Sequence, residues 1–197
     1  MRTIKLIILL GLISFQAKII EAQDLHTYEL DPGHTFIQFT ANRFGIVDVS
    51  GVFREVSGTI IYNPEKPGET SASIVIKTAS VESGLEARQN AIMSRAFLDV
   101  ATYPEMTFES RNVEVKDDKL LVTGDLTLHG TTNRISFLFS IKGPYKDPTK
   151  AITIGIKGSL TINRQDYGMN FNKLLENGLP FVGNDILIQL NVLAYKR

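Results

Sequence analysis

The chain has 197 residues, carries 21 lysines and arginines against 21 aspartates and glutamates, and contains no cysteine. The even charge balance excludes the strongly basic proteins that bind nucleic acid mainly through their charge. The absence of cysteine excludes disulfides, thiol catalysis and cysteine-ligated metal sites, and a chain of this length buries enough surface to fold without them.

The first residues have the pattern of a secretory signal peptide. Arg2 and Lys5 form a positively charged segment, and an unbroken apolar run follows from Leu6 to Phe15. Lys18 interrupts the apolar stretch well short of the roughly 18 residues that a membrane-spanning helix needs. We therefore predict export, with an uncleaved membrane anchor as the alternative.

The best cleavage position follows Ala22, although the preceding residues match the small-residue rule imperfectly. We accordingly predict a signal peptide over residues 1–22 and one domain over residues 23–197. This domain is expected to be periplasmic or secreted, with no nucleic-acid partner and no stable membrane insertion.

Eight runs in the rest of the chain alternate apolar and polar residues, as strands with one buried face do. They lie at Ile37–Ala41, Val56–Tyr62, Ala72–Ile76, Met106–Phe108, Val122–Leu128, Ile135–Ile141, Ile152–Ile162 and Ile186–Ala194. Turn residues separate them, and hairpin-length connections favour antiparallel neighbours. Alternation alone leaves open whether the strands form a two-sheet sandwich or a closed barrel.

The segment between the third and fourth runs has helical spacing instead. Ser83 and Glu86 are spaced as in a capping box. Side chains recur at helical intervals at Leu85, Arg88, Ile92 and Ala96. We predict a helix over residues 84–96 across one end of the molecule, and a second short helical turn at Lys173–Glu176 before Gly178.

A series of short motifs resembles the YceI-like family of secreted bacterial proteins. The closest match is Gly-Asp-Leu-Thr-Leu-His-Gly at Gly124–Gly130. The other matching segments are Tyr28–Thr35, Gly51–Phe53, Gly58–Ile60, Phe97–Pro104, Met106–Ser110, Asn163–Met169 and Val182–Asp185. Each motif is weak by itself, but their order and spacing over about residues 26 to 195 make the resemblance specific.

The resemblance implies an all-β fold, an eight-stranded antiparallel lipocalin-like barrel with a short helical excursion after the third strand. It also implies non-catalytic binding, sequestration or transport of a long-chain apolar ligand, a polyisoprenoid or a similar lipid, with no cofactor. Because family members look dimeric, it suggests a homodimer.

Two positions depart from the family pattern. Arg43 stands where members often carry a histidine, and Ala91-Ile92 stands where a histidine-leucine pair is usual. The resemblance therefore implies no head-group or metal role for these two positions in this chain, whereas the apolar lining is unaffected.

The phase of the strand runs predicts which side chains face a barrel interior. Nine apolar side chains are predicted to line a ligand cavity: Phe39, Phe53, Phe108, Leu126, Phe137, Phe139, Ile154, Ile156 and Ile188. Gly58, Gly124 and Gly158 share these faces and are expected to leave volume unfilled. The competing interpretation is a solid core packed by the same side chains.

Two arginines, Arg43 and Arg164, are in phase with buried faces and complete the predicted ligand-binding set. A buried-phase arginine must be paired, lie near a mouth or bind an anion, and its donors suit phosphate or carboxylate. We predict that one or both face a ligand head group. The alternative is that Arg164 pairs with Asp166 and that Arg43 points to solvent past a bend.

The three histidines do not form a recognisable metal-binding or catalytic motif. His26, His34 and His129 are far apart in sequence and form no metal-ligand spacing. His129 and Asp125 are predicted to share the outer face, without a nucleophile-elbow motif. The sequence therefore predicts no catalytic and no metal-binding residue. The rival hypotheses are an isomerase or hydrolase acting on a hydrophobic small molecule, and a structural or stress-related exported protein with a filled core.

Overall fold

The computed structural model describes residues 26–197, so the predicted signal peptide lies outside the described residues. The strands are β1 (His26–Leu30), β2 (Phe36–Arg43), β3 (Val47–Phe53), β4 (Val56–Tyr62), β5 (Ser71–Lys77), β6 (Val81–Glu82), β7 (Glu105–Lys116), β8 (Lys119–Leu128), β9 (Thr131–Lys146), β10 (Ile152–Asn163) and β11 (Val182–Lys196). An α-helix, α1 (Glu86–Met93), follows β6, and short 3-10 helices span Pro67–Glu69, Thr78–Ser80 and Arg164–Tyr167.

These segments build eight antiparallel strands in a closed ring. β1 and β2 both pair with the same edge of β11. On their other side, β1 pairs with β4 and β2 pairs with β3. In the next position, β4 pairs with β5 and β3 pairs with β6. Each of these pairs of segments is thus one interrupted strand. Pairing of Leu30 with Ala194 closes the ring. The predicted eight-stranded antiparallel barrel is confirmed, and the sandwich is excluded because the strand pairings run in one continuous cycle back to the first strand.

The course of the strands gives the barrel two different ends. The β2–β3 turn (44–46), the helical segment (83–104), the β8–β9 turn (129–130) and the long connection from β10 to β11 (164–181) all lie at one end, here called the open end. The β4–β5, β7–β8 and β9–β10 connections lie at the other, here called the closed end.

A compact cluster of side chains fills the closed end. Tyr28, Ile154 and Ala194 have no exposed surface, and Leu30 and Tyr62 are buried beside them. The rings of Tyr28 and Tyr62 lie 6.4 Å apart, and burial raises the pKa of both phenols. Within residues 26–197 the Tyr28 hydroxyl has no hydrogen-bond partner. The barrel therefore has a packed floor rather than a continuous channel.

The helical predictions need correction. The helix α1 spans eight residues and is preceded by Leu85 without a side-chain cap. Ser83 does not form the predicted capping box, because its hydroxyl donates to the Leu85 carbonyl instead. The predicted helical turn at Lys173–Glu176 is wrong, since Leu174 forms a β-bridge with Pro180. Among the helices of residues 26–197, none is long and apolar enough to cross a membrane.

Candidate ligand-binding site

The barrel encloses a cavity of about 640 Å³. Its wall comes from β2 to β5 and from β7 to β11, and α1 with its flanking turns lies over it at the open end. Leu85, which lines the cavity, is 55% exposed. The cavity therefore reaches the protein surface at the open end, and toward the closed end its wall extends to Thr70 and Ser71 beside the packed floor. Its size is within the range of about 300–1,000 Å³ that small-molecule sites occupy.

The lining of the cavity is almost entirely aliphatic and aromatic. Eight phenylalanines contribute to it, together with many isoleucine, leucine and valine side chains. Its polar members are Asn42, Arg43, Thr70, Ser71, Arg88, Ser94, Ser110 and Arg164. Such a lining suits a ligand with a long apolar chain, because burial of that chain supplies free energy in proportion to its apolar area.

The structure places ten of the eleven predicted site residues in the cavity wall: Phe39, Arg43, Phe53, Phe108, Leu126, Phe137, Phe139, Ile156, Arg164 and Ile188. Their contact with a ligand remains a prediction. Ile154 is a correction, because it is fully buried in the packed floor and does not line the cavity. A register shift between β9 and β10 falls at Thr153–Gly155, next to the pairing of Ile154 with Ala194.

The expectation that inward-facing glycines leave empty volume is also wrong. A Cβ at Gly124 would lie 2.5 Å from the Phe108 ring, and one at Gly58 would lie 2.2 Å from the Ser73 carbonyl oxygen. Gly58 also has a φ of +145°, which favours glycine. These glycines permit close approach of a ring or a neighbouring strand, so the space is already occupied.

Arg164 is a buried structural residue. It is 2% exposed, and its Nε donates to the Gly183 carbonyl at 3.1 Å and its Nη2 to the Phe171 carbonyl at 2.6 Å. Its Nη1 donates to the carbonyl of Met169. The alternative of a local pair with Asp166 is wrong, since the ion pairs of the described chain do not include Arg164. Because all three guanidinium nitrogens hold backbone carbonyls, Arg164 positions the long connection at the open end.

Arg43 lies at the end of β2, where it is partly exposed and contributes to the cavity wall. Its guanidinium carbon is 4.5 Å from the centre of the Phe44 ring and 4.9 Å from that of Phe181. Over residues 26–197 no carboxylate lies within 4.0 Å of this guanidinium. The aromatic faces stabilise the cation while leaving its N–H groups without an anionic partner.

Arg88 is a lining residue that the sequence reasoning did not select. It lies on α1, and its Nη1 donates to the Ser83 carbonyl at 2.9 Å. Its Nε is buried and has no hydrogen-bond partner in the described part of the chain. The signal was present in the sequence, because Arg88 shares its helical spacing with Leu85 and Ile92, both of which line the cavity.

Four phenylalanines connect the loops of the open end. The rings of Phe44 and Phe181 are 4.7 Å apart and edge-on, Phe181 and Phe171 are 6.1 Å apart, and Phe171 and Phe97 are 5.0 Å apart. Of these, Phe97, Phe171 and Phe181 line the cavity. Sequence analysis missed their role because they lie in turns and loops, where no strand or helix period predicts which side is buried.

The other candidate chemical groups face away from the cavity. Asp125 accepts hydrogen bonds from Arg111 and Arg134, each at 2.7 Å. These two arginines hold the pKa of Asp125 below its usual range, with Arg134 contributing most. The Nδ1 of His129 lies 3.1 Å from the Tyr167 carbonyl oxygen. Residues 26–197 contain no cluster of three or more metal-ligating side chains.

Comparison with known proteins gives one family. The YceI-like domain matches residues 28–194. A UPF0312 protein of Pseudomonas savastanoi pv. phaseolicola is 36% identical over 137 residues, which cover 69% of this chain and 71% of that protein. A UPF0312 protein of Pseudomonas putida is 34% identical over the same length and the same shares of both chains.

Solved structures share the fold. Burkholderia cenocepacia BcnA superposes with a TM-score of 0.74 at 21% identity, over 83% of this chain and 98% of that one. A polyisoprenoid binding domain from Saccharophagus degradans, implicated in plant cell wall breakdown, superposes with a TM-score of 0.66 at 19% identity, over 86% and 98%. The sequence match over most of the barrel and the shared architecture agree, and the chain therefore belongs to the YceI-like family.

Proposed function

We propose that this protein is an exported carrier that holds one long apolar chain in its barrel, without chemical conversion. The observation that carries this proposal is the cavity of about 640 Å³, which has an apolar wall, a packed floor and an opening at one end. A chain inserted from the open end gains the free energy of burial, roughly 25 cal/mol per Å² of apolar surface before the cost of association.

The description of one structural neighbour supports the class of ligand that we propose. The Saccharophagus degradans relative of this fold is described as a polyisoprenoid binding domain, and a polyisoprenoid is a long, flexible, apolar chain of the kind that this cavity suits. We therefore propose a polyisoprenoid or a similar single-chain lipid as the ligand, bound for sequestration or transport.

The lining supports binding rather than catalysis. No histidine, aspartate, glutamate or lysine is among the residues that line the cavity within residues 26–197. General acid–base chemistry depends on such groups within hydrogen-bond reach of the reacting atoms. His129, the candidate for the enzymatic alternative, is held at Tyr167 instead.

The predicted signal peptide supports an exported protein. A water-soluble carrier outside the cytoplasm would shield an insoluble chain from the aqueous compartment. Fractionation of the native host, with immunodetection of the protein in each fraction, tests export. Mass spectrometry of the N-terminal peptide of the purified protein tests cleavage after Ala22. A protein retained in the cytoplasm with an intact N-terminus would contradict this part of the proposal.

The carrier function is tested by native mass spectrometry and lipid extraction of the protein purified from its host, followed by uptake of an apolar fluorescent dye after delipidation. We expect a co-purifying lipid and saturable dye uptake. Ala72 lines the cavity, so Ala72→Phe should weaken dye binding by about tenfold or more because the new ring occupies ligand space.

A matched control places the same ring outside the barrel. Leu187 is 39% exposed and precedes the lining residue Ile188, so Leu187→Phe should leave dye binding unchanged. Absence of both lipid and dye uptake in the unsubstituted protein would contradict the carrier function and favour a filled structural core. The same native spectra report whether the protein is a monomer or a homodimer.

A further inference from the structure

The exposed apolar side chains of this barrel are concentrated at the open end. Nine large apolar side chains of residues 26–197 are exposed, and five of them lie at that end: Ile46, Val47, Leu85, Leu174 and Leu179. Ile46 is 80% exposed, the highest value of the nine, and the remaining four are spread over β7, β9 and β11. Scattered exposed apolar residues are ordinary, whereas a cluster of them marks a surface that contacts a partner.

Four of these side chains belong to two loops that pack together. They form the rim patch, which consists of Ile46, Val47, Leu174 and Leu179. The first two follow the β2–β3 turn, and the other two lie in a hairpin closed by the bridge between Leu174 and Pro180. The Phe44 N–H donates to the Phe181 carbonyl at 3.3 Å, and the rings of these two residues are 4.7 Å apart. The two loops hold each other in place, so the patch is a fixed surface.

The rim patch borders the mouth of the cavity. None of its four side chains lines the cavity. Its neighbours in sequence do, because Arg43 precedes the β2–β3 turn, Phe181 follows Leu179 by two residues, and both line the wall. An apolar chain that leaves the cavity at the open end therefore meets this apolar surface first.

The termini of the mature chain cannot cover the patch. His26 pairs with Tyr62, and the Arg197 N–H donates to the Thr27 carbonyl, so both ends of the described chain lie at the closed end. With cleavage after Ala22, three residues precede His26, and they span at most about 10 Å. The patch lies at the other end of β11, which runs for fifteen residues between the two ends.

The size of the patch does not fit a stable interface with a second copy. Such an interface takes about 20–30 residues from each side, whereas the rim patch has four. Charged side chains also follow it closely in sequence, with Asp48 after Val47, Lys173 before Leu174 and Glu176 between Leu174 and Leu179. A few apolar side chains within a polar border suit shallow contact with a lipid surface.

The charge of the open end specifies the kind of lipid surface. Residues 43–48, 83–104 and 164–181 carry five cations and five anions, which are Arg43, Arg88, Arg95, Arg164 and Lys173 against Asp48, Glu86, Asp99, Asp166 and Glu176. This balance gives no net attraction to anionic lipid. Contact therefore depends on apolar area and suits a zwitterionic bilayer.

We propose that the rim patch docks the open end reversibly on a lipid bilayer, so that the ligand passes between membrane and barrel without crossing water. This proposal rests on the proposed carrier function and adds the partner that supplies or receives the ligand. A long apolar chain released into water would expose its whole apolar area, and contact between the mouth and the bilayer avoids that exposure.

A single introduced indole tests the contact directly, because the chain contains no tryptophan. Ile46→Trp places the indole in the rim patch, and Tyr145→Trp is the matched control at an exposed position near the closed end. With phosphatidylcholine vesicles, we expect the emission of Ile46→Trp to shift to shorter wavelength and to be quenched by brominated phosphatidylcholine, since indoles enter the membrane interface. The control should show neither change.

Removal of the patch tests its role in ligand transfer. Ile46→Ser combined with Leu174→Ser should reduce co-sedimentation with phosphatidylcholine vesicles about fivefold or more and should slow transfer of a fluorescent lipid from vesicle to protein. Dye uptake from solution and thermal unfolding should be unchanged, because neither side chain lines the cavity. Added phosphatidylglycerol or salt should have little effect.

A matched double variant removes exposed apolar side chains elsewhere. Val115→Ser combined with Leu187→Ser changes the outer wall and should leave both vesicle measurements unchanged. An equal loss of vesicle binding in this variant would contradict the assignment to the rim patch.

The outcomes separate docking from carriage. No response of Ile46→Trp to vesicles, or vesicle binding that survives the double substitution in the patch, would overturn docking and leave the carrier function standing. A dimer that this double substitution dissociates, without vesicle binding, would assign the patch to a second copy and would also overturn docking. Failure of the unsubstituted protein to take up dye would overturn both proposals.

Discussion

The two ends of this barrel have the same alternating strand pattern, but one end is packed with side chains and the other surrounds a cavity. At the closed end, Tyr28, Ile154 and Ala194 have no exposed surface and do not line the cavity. Toward the open end, equivalent inward positions such as Phe137 and Ile188 surround empty space. The comparison shows that alternation specifies which face is apolar but does not specify whether that face is filled. The sizes of the facing side chains and the local strand register decide this.

The largest loss of stability is expected from substitution of Arg164, which holds the long connection at the open end. Arg164→Met removes the donors for several buried carbonyls, so we expect a loss of about 4 kcal/mol in the free energy of unfolding, measured by urea denaturation. Arg43→Met, which loses mainly its contacts with two rings, should cost about 1 kcal/mol or less. Equal losses for the two variants would contradict the structural role given to Arg164.

The floor of the barrel gives the next largest effect. Ile154→Ala should lower the free energy of unfolding by about 3 kcal/mol, because it opens a void among fully buried neighbours. Ile188→Ala in the cavity wall should cost less, about 1–2 kcal/mol, since its side chain already borders empty space. Urea denaturation of both variants measures the difference, and a reversed order would show that the floor is not the better-packed end.

Substitution of Gly124 tests how closely the Phe108 ring packs against the backbone in the barrel wall. Gly124→Ala should cost about 2 kcal/mol, because its Cβ would collide with the Phe108 ring and the Glu109 carbonyl oxygen. Gly155→Ala is the control, since a Cβ there meets no atom within 4 Å. The control should be neutral or slightly stabilising in thermal melts, and similar losses at both sites would refute the close-packing account.

The smallest change in stability is expected at Asp125 on the outer face, and it should depend on pH. The pKa of Asp125 lies below its ordinary value of 3.8 in the folded protein. The ionised carboxylate therefore stabilises the fold above about pH 4, and this contribution is lost as the pH falls through the lowered pKa. The stability difference between the unsubstituted protein and Asp125→Asn should shrink between pH 6 and pH 3 in urea denaturation. A difference that is constant over this range would contradict the prediction.

Much of the fold was predictable because strand signals are local. The long alternation of Ile152–Ile162 and the turn residues between runs predicted strands, antiparallel pairing and the inward phase. The helix was placed correctly after the third strand, but its ends were not. The loop at 164–181 escaped prediction because its structure depends on the distant carbonyl contacts of Arg164 and on ring contacts with Phe44.

The sequence by itself determined the family, the all-β class, and a set of inward side chains of which all but Ile154 line the cavity. The alternation left barrel and sandwich open, the family resemblance implied the barrel, and the pairings of the strands show it. Only the tertiary structure decided that Ile154 belongs to the floor and that Arg88 lies in the cavity wall, with an Nε that has no partner in residues 26–197. The physical reason is the distance along the sequence over which each interaction acts. Alternation and turn chemistry act between neighbouring residues, whereas closure, cavity volume and hydrogen-bond saturation depend on residues that meet only when the barrel is complete.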